Sequence, residues 1–434
     1  MGESVLSPAA PAESPLYTDA GLERRGGSLY FGGAVLTSIA DAVGTPAYLY
    51  NAGVIRRQFR ALDQALSAVP HRVAYAVKAN ANLAVLRILR DLGAGADIVS
   101  GGELARALAA GFDPERIVFS GVGKTDQELA AAVEAGIGHV HLESTAELAA
   151  LAKIVARLRR PMRVGIRVNP DVTADTHPYI ATGQGGIKFG VPVDQVVPLA
   201  LAVRQHELLT LDTVAMHIGS QLLDPAPYAE GVRRLLQLVA QLREAGVDTL
   251  TTLDIGGGLG IRYRDEAPPS PDRWAATVRA ATSDTGATVL VEPGRVLVGN
   301  AGVLLTRVLY RKHAGGRTLV VVDAGMNDLL RPALYGAEHA IVPVRARRGR
   351  TRRVDVVGPV CESTDVLGRD RQLVLPEPGE LLAIRGAGAY GMSMASTYNG
   401  RPRPAEVLVS GKRARVVRRR ERVEDLWRGE AAGR

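Results

Sequence analysis

The amino-acid sequence predicts a (β/α)8 barrel of the TIM type followed by a mostly-β domain. Eight short β-rich runs alternate with helical patterns over roughly 220 residues in the middle of the chain, as they do in such barrels. The runs are nearly continuous in apolar residues, which is typical of parallel strands buried on both faces. After about residue 297 the helical patterns nearly vanish and strand-like runs follow one another. An open, doubly wound sheet is the alternative architecture for the alternating part.

The predicted barrel strands are short apolar runs, separated by segments whose apolar residues recur at three- and four-residue spacing. In chain order the runs are VAYAVKA (73–79), ADIVS (96–100), RIVFSG (116–121), HVHLE (139–143), RVGIRVN (163–169), TVAMHIG (213–219), TTLDIGG (251–257) and TVLVEPG (288–294). Several intervening helices end on glycine. They are NLAVLRILRDLG (82–93), GELARALAAG (102–111), DQELAAAVEAG (126–136), STAELAALAKIVARLR (144–159) and YAEGVRRLLQLVAQLREAG (228–246), with AGVIRRQFRALDQALSAV (52–69) ahead of the first strand.

The second domain is predicted from strands joined by turns. Its runs are AGVLLTRVLY, RTLVVVDAG, AIVPVRAR, RRVDVVGPV, ELLAIRG and AEVLV. Two strand-like runs near the N-terminus, SLYFGG (28–33) and PAYLY (46–50), are expected to join this domain. We therefore assign residues 47–296 to the barrel and residues 1–46 and 297–434 to the β-domain, and we expect the first fifteen residues to form a loose tail.

Composition excludes several classes of protein. The single cysteine, Cys361, allows no intrachain disulfide. The chain opens without a basic and apolar leader, and its apolar runs are too short to span a membrane, so we expect a soluble cytoplasmic protein. The net charge of +8 and the pI of about 9.7 would suit nucleic-acid binding. However, the basic runs at 345–353 and 411–420 carry no interleaved aromatic residues, so they favour a solvated basic face.

Several polar residues stand where predicted barrel strands end, which is where (β/α)8 barrels place their active sites. Lys78 closes the first run, His217 the sixth, Gly256, Gly257 and Gly258 the seventh, and Glu292 the eighth. Singly, each has an ordinary explanation: a lysine that reaches solvent, a structural histidine, a turn, and a surface acid. Their convergence on one face of the barrel indicates a site.

The chemistry of these residue types suits a cofactor with a phosphate and a carbonyl carbon. A partly desolvated lysine amine, with its pKa lowered, can form a Schiff base. A glycine loop lets backbone N–H groups approach a phosphate, and the hydroxyl of Ser220 could add a donor. A carboxylate such as Glu292 could face a pyridine nitrogen and keep it protonated. No cluster of His, Cys and acids has the spacing of metal ligands, so no metal is predicted.

Seven separated motifs resemble those of the fold type III pyridoxal 5′-phosphate-dependent decarboxylases, in particular those that act on diaminopimelate. They are YAVKAN (75–80), HIGSQ (217–221), GGGLG (256–260), EPGR (292–295), DAGMNDLLRPALY (323–335), GPVCESTD (358–365) and GAYGMSMASTYN (388–399). They occur in the order of that family and extend over the chain from about residue 28 to its end. The resemblance implies a cofactor-binding barrel with a β-domain, and pyridoxal 5′-phosphate as cofactor.

The resemblance also implies roles for individual residues. Lys78 matches the lysine that forms the Schiff base, and Cys361 the cysteine that protonates the product carbanion. The positions that match cofactor contacts are His217, Ser220, Gly256, Gly257, Gly258, Glu292, Pro293, Gly294, Arg295 and Tyr390. Those that match substrate contacts are Arg295, Arg331, Tyr335, Glu362 and Tyr390. In the family, the segment with Cys361 and Glu362 reaches the active site of the other subunit, which implies a homodimer with shared sites.

The activity implied is decarboxylation of meso-2,6-diaminopimelate to L-lysine and CO2, the last step of lysine biosynthesis. Decarboxylation of ornithine, lysine, arginine or another amino acid on the same fold is the alternative, although a distal cation would not need two arginines. A non-catalytic cofactor-binding homologue would lack the lysine or the proton donor, and this chain keeps both. A racemase would need a different acid/base group in place of Cys361.

Overall fold

The computed structural model describes residues 21–172, 188–283 and 285–430, so the predicted N-terminal tail lies outside the described residues. The described part of the chain begins with a three-stranded antiparallel sheet, and the two main domains follow. These first elements are β1 (Leu22–Arg25), β2 (Ser28–Phe31), β3 (Ala34–Val35), α1 (Leu36–Val43), β4 (Ala47–Asn51) and α2 (Ala52–Leu66). Asn51 begins α2 because its side-chain oxygen accepts the N–H groups of Gly53 and Val54.

Eight parallel strands form a closed barrel, as the sequence predicted. They are β5 (His71–Ala76), β6 (Gly95–Ile98), β7 (Ile117–Phe119), β8 (His139–Leu142), β9 (Met162–Val168), β10 (Leu209–Met216), β11 (Thr252–Asp254) and β12 (Thr288–Val291). The last strand pairs with the first, with Val289 opposite His71 and Val291 opposite Val73. This pairing closes the barrel and excludes the open-sheet alternative.

Helices surround the barrel between successive strands. They are α3 (Leu83–Asp91), α4 (Gly101–Ala110), α5 (Asp126–Ala135), α6 (Thr145–Leu158), α7 (Val193–Val203), α8 (Ala226–Glu244) and α9 (Pro271–Thr282). A short helix, α10 (Arg295–Val298), follows β12. Thr125 and Glu128 form a capping box at the start of α5, and Gly136 ends that helix in a left-handed conformation. Sequence analysis did not identify α1, α7 or α9; α7 is apolar on most sides and contains Pro198.

The second domain is built on a nine-stranded sheet. Its C-terminal elements are β13 (Gly302–Ala314), β14 (Arg317–Val322), α11 (Arg331–Tyr335), β15 (Ile341–Pro343), β16 (Thr351–Val357), β17 (Val366–Val374), β18 (Leu381–Arg385), β19 (Ala405–Ser410) and β20 (Arg413–Arg418). All six predicted runs contain a strand. β17 and β20 were not predicted, because polar residues interrupt the apolar ones of β17 and most of β20 is exposed.

The N-terminal strand β4 is an internal strand of this sheet, between β13 and β19. The expectation that PAYLY (46–50) joins the β-domain is therefore correct, and the boundary at residue 47 is wrong. Because β4 pairs along Ala47–Asn51, the barrel unit begins at α2. In the part of the chain that the structure describes, no helix has both the length and the apolar character needed to cross a membrane.

Candidate active site

A cavity of about 380 Å³ opens at the C-terminal end of the barrel strands. Lys78 reaches it from a 3-10 turn, Val77–Ala79, directly after β5. His217 and Glu292 come directly after β10 and β12, and both line the same cavity. Three of the residues predicted from strand ends are thus brought together, as a (β/α)8 barrel requires.

Lys78 is held by an acid on the neighbouring strand. Its Nζ donates to Oδ2 of Asp97 over 2.8 Å, and the Asp97 side chain is completely buried. Burial lowers the pKa of Lys78, but the carboxylates of Asp97 and Glu292 outweigh burial, so the pKa is raised. The expectation of a lowered pKa is therefore wrong for the protein without cofactor, because the sequence did not reveal that Asp97 pairs with the amine.

Glu292 lies beside a second buried carboxyl group, that of Asp254 at the end of β11. Burial, followed by the charge of Asp97, raises the pKa of Glu292 to about 7. Burial, followed by the charge of Glu292, raises the pKa of Asp254 well above its usual range. Two adjacent buried carboxylates repel each other, so such a pair retains a proton.

The hydrogen bonds indicate which carboxyl group holds that proton. Oδ1 of Asp254 accepts the N–H of Gly256 over 2.8 Å, whereas no donor among the described residues reaches Oδ2. A proton on Oδ2 satisfies this buried atom and can be donated to Glu292. The Lys78 and Arg167 cations also favour the ionised form of Glu292. We therefore assign the proton to Asp254 and the charge to Glu292.

A buried histidine completes the network beneath Glu292. The ring of His141 on β8 is neutral, because burial lowers its pKa well below the usual range. Its Nδ1 lies 3.3 Å from Oγ of Ser120, which lies 3.4 Å from Oε1 of Glu292. Ligand-type atoms of His141, Asp254 and Glu292 lie within 4.8 Å of one another. This cluster was not visible in the sequence, because its members come from three separate strands.

The glycine loop passes close to two neighbouring strand ends. Gly256 and Gly258 have positive φ values of 73° and 104°. A Cβ on Gly256 would lie 2.5 Å from the carbonyl oxygen of Met216, and one on Gly258 would lie 2.2 Å from that of Gly219. Side chains are therefore excluded from the loop by both conformation and space. The exposed backbone of this turn can approach a ligand closely.

His217 presents a neutral ring to the cavity. The backbone N–H of Gly257 donates to its Nδ1 over 3.2 Å, which places the ring proton on Nε2. Burial lowers the pKa of His217 well below its usual range, and the charges of Arg167 and Lys78 add to this effect. A neutral, fixed imidazole is suited to stack against a flat ligand.

Two buried arginines, Arg295 and Arg331, lie on either side of Tyr263. The guanidinium of Arg331 lies 4.3 Å from the centre of the Tyr263 ring, and Arg295 donates to the Tyr263 hydroxyl. Arg295 also donates to Oγ of Ser220 over 2.7 Å. Nε of each arginine is buried with no partner among the described residues. The two cations thus leave donors available for an anion.

Tyr390 connects the arginines with the lysine. Its backbone N–H donates to the carbonyl of Ala79, next to Lys78, and its φ is positive at 55°. The Arg295 guanidinium lies 4.8 Å from the centre of its ring. Tyr390 and Lys78 both line a second cavity of about 430 Å³. Tyr335, at the end of α11, lies one helical turn from Arg331 and is partly buried.

Cys361 and Glu362 are the predicted residues that lie apart from these groups. Both are exposed, and in the described part of the chain neither lines the two cavities that Lys78 reaches. The Cys361 N–H donates to Oδ1 of Asn399 over 2.8 Å, and the Tyr398 hydroxyl donates to Glu362. The segment is therefore ordered by the motif at 388–399, while its thiol faces outward.

Residues 52–299 match the model of the family described as pyridoxal-dependent decarboxylase, pyridoxal binding domain. The chain belongs to this family and is a pyridoxal phosphate-dependent amino-acid decarboxylase. Its curated relatives include the diaminopimelate decarboxylases of Pseudomonas aeruginosa, 48% identical over 94% of this chain and 98% of the relative, and of Vibrio cholerae, 46% identical over 92% and 96%. The predicted family and cofactor are thereby confirmed.

Solved structures of diaminopimelate decarboxylases are similar to this chain over most of its length. The crystal structure of diaminopimelate decarboxylase from Helicobacter pylori complexed with L-lysine has a TM-score of 0.88 and 41% identity, covering 91% of this chain and 98% of that one. The enzyme from M. jannaschii in co-complex with L-lysine has a TM-score of 0.90 and 36% identity, covering 95% and 98%. The predicted fold, a barrel with a mostly-β domain, is confirmed.

The residues present fit pyridoxal phosphate. Lys78 offers an amine at the cavity, and the charged Glu292 offers a carboxylate for the pyridine nitrogen. The loop at Gly256–Gly258 has no side chains, so its backbone N–H groups could approach the phosphate. Each polar part of the cofactor therefore has a complementary group in this chain.

Sequence analysis missed several residues of the site. Asp97 and Asp254 each stand near the end of an otherwise apolar strand, in ADIVS and TTLDIGG, and this was the signal that could have identified them. His141 carries the same signal within HVHLE. Tyr263 and His339 lie in segments with no regular pattern, so only the tertiary structure associates them with the arginines.

Proposed function

We propose that this protein decarboxylates meso-2,6-diaminopimelate to L-lysine and CO2, the last step of lysine biosynthesis. The proposal depends on the pair of buried guanidinium groups, Arg295 and Arg331, of which Arg295 lies over the Tyr390 ring, whose backbone bonds Ala79 beside Lys78. Each has an unpartnered Nε, so the pocket is preorganised for an anionic group. A substrate with a second carboxylate at its distal end supplies that group. The diaminopimelate decarboxylases among the relatives of this chain support the same substrate.

The cofactor and its surroundings divide the chemistry between them. When bound, pyridoxal phosphate supplies an electron sink for the electron pair left by departing CO2. Glu292, kept ionised by the proton on Asp254, holds a proton at the ring nitrogen. The neutral ring of His217 forms one wall of the site, and Ser220 with the glycine loop binds the phosphate.

Substrate orientation falls to the arginines and tyrosines. Arg295 and Arg331 would bind the distal carboxylate, with Tyr335 one helical turn from Arg331 and Tyr390 in the cavity that Lys78 also lines. Fixing the distal end would select which carboxylate is held at the reacting end beside Lys78.

Cys361 delivers the proton that replaces CO2, and we propose that it does so in the active site of a second copy of the chain. Its outward-facing thiol and the exposed Glu362 support this arrangement, as does their separation from both cavities beside Lys78. The functional unit is then a homodimer with shared sites. The cytoplasmic location and the absence of nucleic-acid binding stay predictions.

A CO2-release assay on purified, pyridoxal phosphate-loaded protein tests the substrate. It offers meso-diaminopimelate beside L-lysine, L-ornithine and L-arginine, with L-lysine formation followed by chromatography. We expect release from diaminopimelate alone. Release from L-ornithine or L-arginine instead would leave the cofactor site standing and would contradict the role of the two arginines.

A further inference from the structure

The two arginines of the proposed substrate pocket are held without any carboxylate. Arg295 donates to the hydroxyls of Ser220 and Tyr263, and NH1 of Arg331 lies 2.9 Å from Nε2 of His339. All of these partners are neutral acceptors. Among the described residues, no aspartate or glutamate forms a hydrogen bond or an ion pair with either guanidinium. Both arginines are nevertheless almost fully buried, where ion pairing is the usual arrangement.

The tautomer of His339 is fixed by its two partners. Nδ1 lies 2.8 Å from the carbonyl oxygen of Arg385, which only accepts, so Nδ1 carries the proton. Nε2 faces a guanidinium, which only donates, so Nε2 accepts. Burial, followed by the charge of Arg331, lowers the pKa of His339 to about 3. His339 therefore stays neutral at any pH at which the enzyme works.

Tyr263 holds the two cations in place without neutralising them. Its ring lies under Arg331, its hydroxyl accepts from Arg295, and its edge meets His339 at a centroid distance of 4.9 Å. Tyr263 and the neutral imidazole of His339 fix the positions of the two guanidinium groups. Neither residue carries a negative charge, so the positive potential of the pocket remains uncompensated. A bound anion can then supply the compensating negative charge.

We propose that His339 is the specificity-determining positioning residue of this pocket: as a neutral acceptor it orients Arg331 and leaves its charge available to the distal carboxylate of the substrate. A carboxylate at the same position would hold Arg331 equally well but would neutralise it. The inference rests on the proposed function, and it assigns to His339 and Tyr263 the selection of a substrate with a distal anion over one with a distal cation alone.

Three substitutions at His339 separate these roles in the pyridoxal phosphate-loaded enzyme. His339→Gln keeps a neutral acceptor, His339→Glu keeps the acceptor but adds a negative charge, and His339→Leu removes the acceptor. We expect the glutamate variant to raise KM for meso-diaminopimelate by about 10- to 100-fold, the size of one charged hydrogen bond. The leucine variant should raise KM to a smaller extent, and the glutamine variant should stay within about threefold of the wild type.

The inhibition constant of cadaverine, which lacks both carboxylates, is the readout that a merely structural defect would not spare; L-lysine is unsuitable because it retains the distal carboxylate. We expect this constant to stay within about threefold in the glutamate variant, because cadaverine does not use the charge of Arg331. His313→Glu, which places the same charge on an exposed histidine of β13, is the matched control and should leave both constants unchanged.

Several outcomes would overturn the inference. They are equal KM values for the glutamine and glutamate variants, a parallel loss of cadaverine binding, or a parallel loss of cofactor affinity. The last would mean that the arginines serve the cofactor phosphate. If the glutamate variant does not fold, the glutamine and leucine variants still decide whether a neutral acceptor is needed. A wild-type enzyme that does not act on meso-diaminopimelate would instead contradict the proposed function.

Discussion

The C-terminal end of the barrel and the segment Cys361–Thr364 differ in how their proposed catalytic groups are held: the first are fixed inside the chain, and the second are exposed on its surface. At the barrel end, Lys78, Asp97 and Glu292 are fixed by neighbouring strands and by one another in a single chain. The Cys361 segment is exposed over four residues and lies outside the cavities beside Lys78. The groups proposed to hold the cofactor therefore come from one chain, whereas the proposed proton donor would act in a second copy of the chain. Substitution of Lys78 should therefore change both the bound cofactor and turnover, whereas substitution of Cys361 should lower turnover alone.

The largest effect is expected at Lys78. Lys78→Ala should lower turnover by roughly three orders of magnitude or more, because the amine that links the cofactor is lost. The absorbance shift of bound pyridoxal phosphate should disappear at the same time. Lys124→Ala removes another buried lysine of the barrel, one that bonds Glu147 and two carbonyl groups, and serves as the control for lost packing. A Lys78→Ala enzyme that turned over normally would refute the site.

Cys361→Ala should keep the bound cofactor and lower turnover by about 10²- to 10⁴-fold, the usual contribution of a positioned proton donor. Mixing this variant with Lys78→Ala sharpens the comparison. If the sites are shared, random exchange of subunits restores about a quarter of the wild-type activity, because half of the dimers then contain one intact site. No recovery in a mixture shown to exchange subunits would place Cys361 and Lys78 in the same chain's site.

Substitutions of Asp254 test whether the proton shared with Glu292 lies on Asp254. Asp254→Asn still donates a hydrogen bond to Glu292, whereas Asp254→Leu does not. The leucine variant should weaken cofactor affinity by about 10- to 100-fold. Loss of the donor also raises the pKa of Glu292 above about 7, so the acidic limb of the rate profile should move to higher pH. Cofactor titration and pH profiles check this, and identical behaviour of the two variants would contradict it.

The smallest effect concerns Asp97 and the loading of cofactor. Because the pKa of Lys78 is raised, its reactive neutral form becomes more abundant as pH rises. The rate of reconstitution of the cofactor-free protein should then increase about tenfold per pH unit near neutrality. Asp97→Asn lowers the pKa of Lys78 and should speed loading at pH 7 severalfold, as stopped-flow absorbance would record. Slower loading at every pH would show that Asp97 serves the bound cofactor instead.

Periodicity and strand-end residues predicted most of the barrel. The eight runs and six helices appear in the structure, since their apolar residues repeat with the periods of buried strands and amphipathic helices. The failures have physical causes as well. The boundary of the barrel was placed at residue 47, although β4 pairs with β13 and β19, because a buried strand has the same pattern in either sheet. β17 escaped notice because polar residues interrupt its apolar ones, and β20 because most of it is exposed.

The sequence by itself determined the alternation of strands and helices, the change to a β-domain, and the motifs that place Lys78, Glu292 and the glycine loop at strand ends. These features are local, and their patterns depend on neighbours in the chain. Only the tertiary structure decided that Asp97 raises the pKa of Lys78, that Asp254 holds a proton beside Glu292, and that His339 leaves Arg331 charged. Such effects arise from burial and from contacts between strands distant in sequence, and no local pattern encodes them.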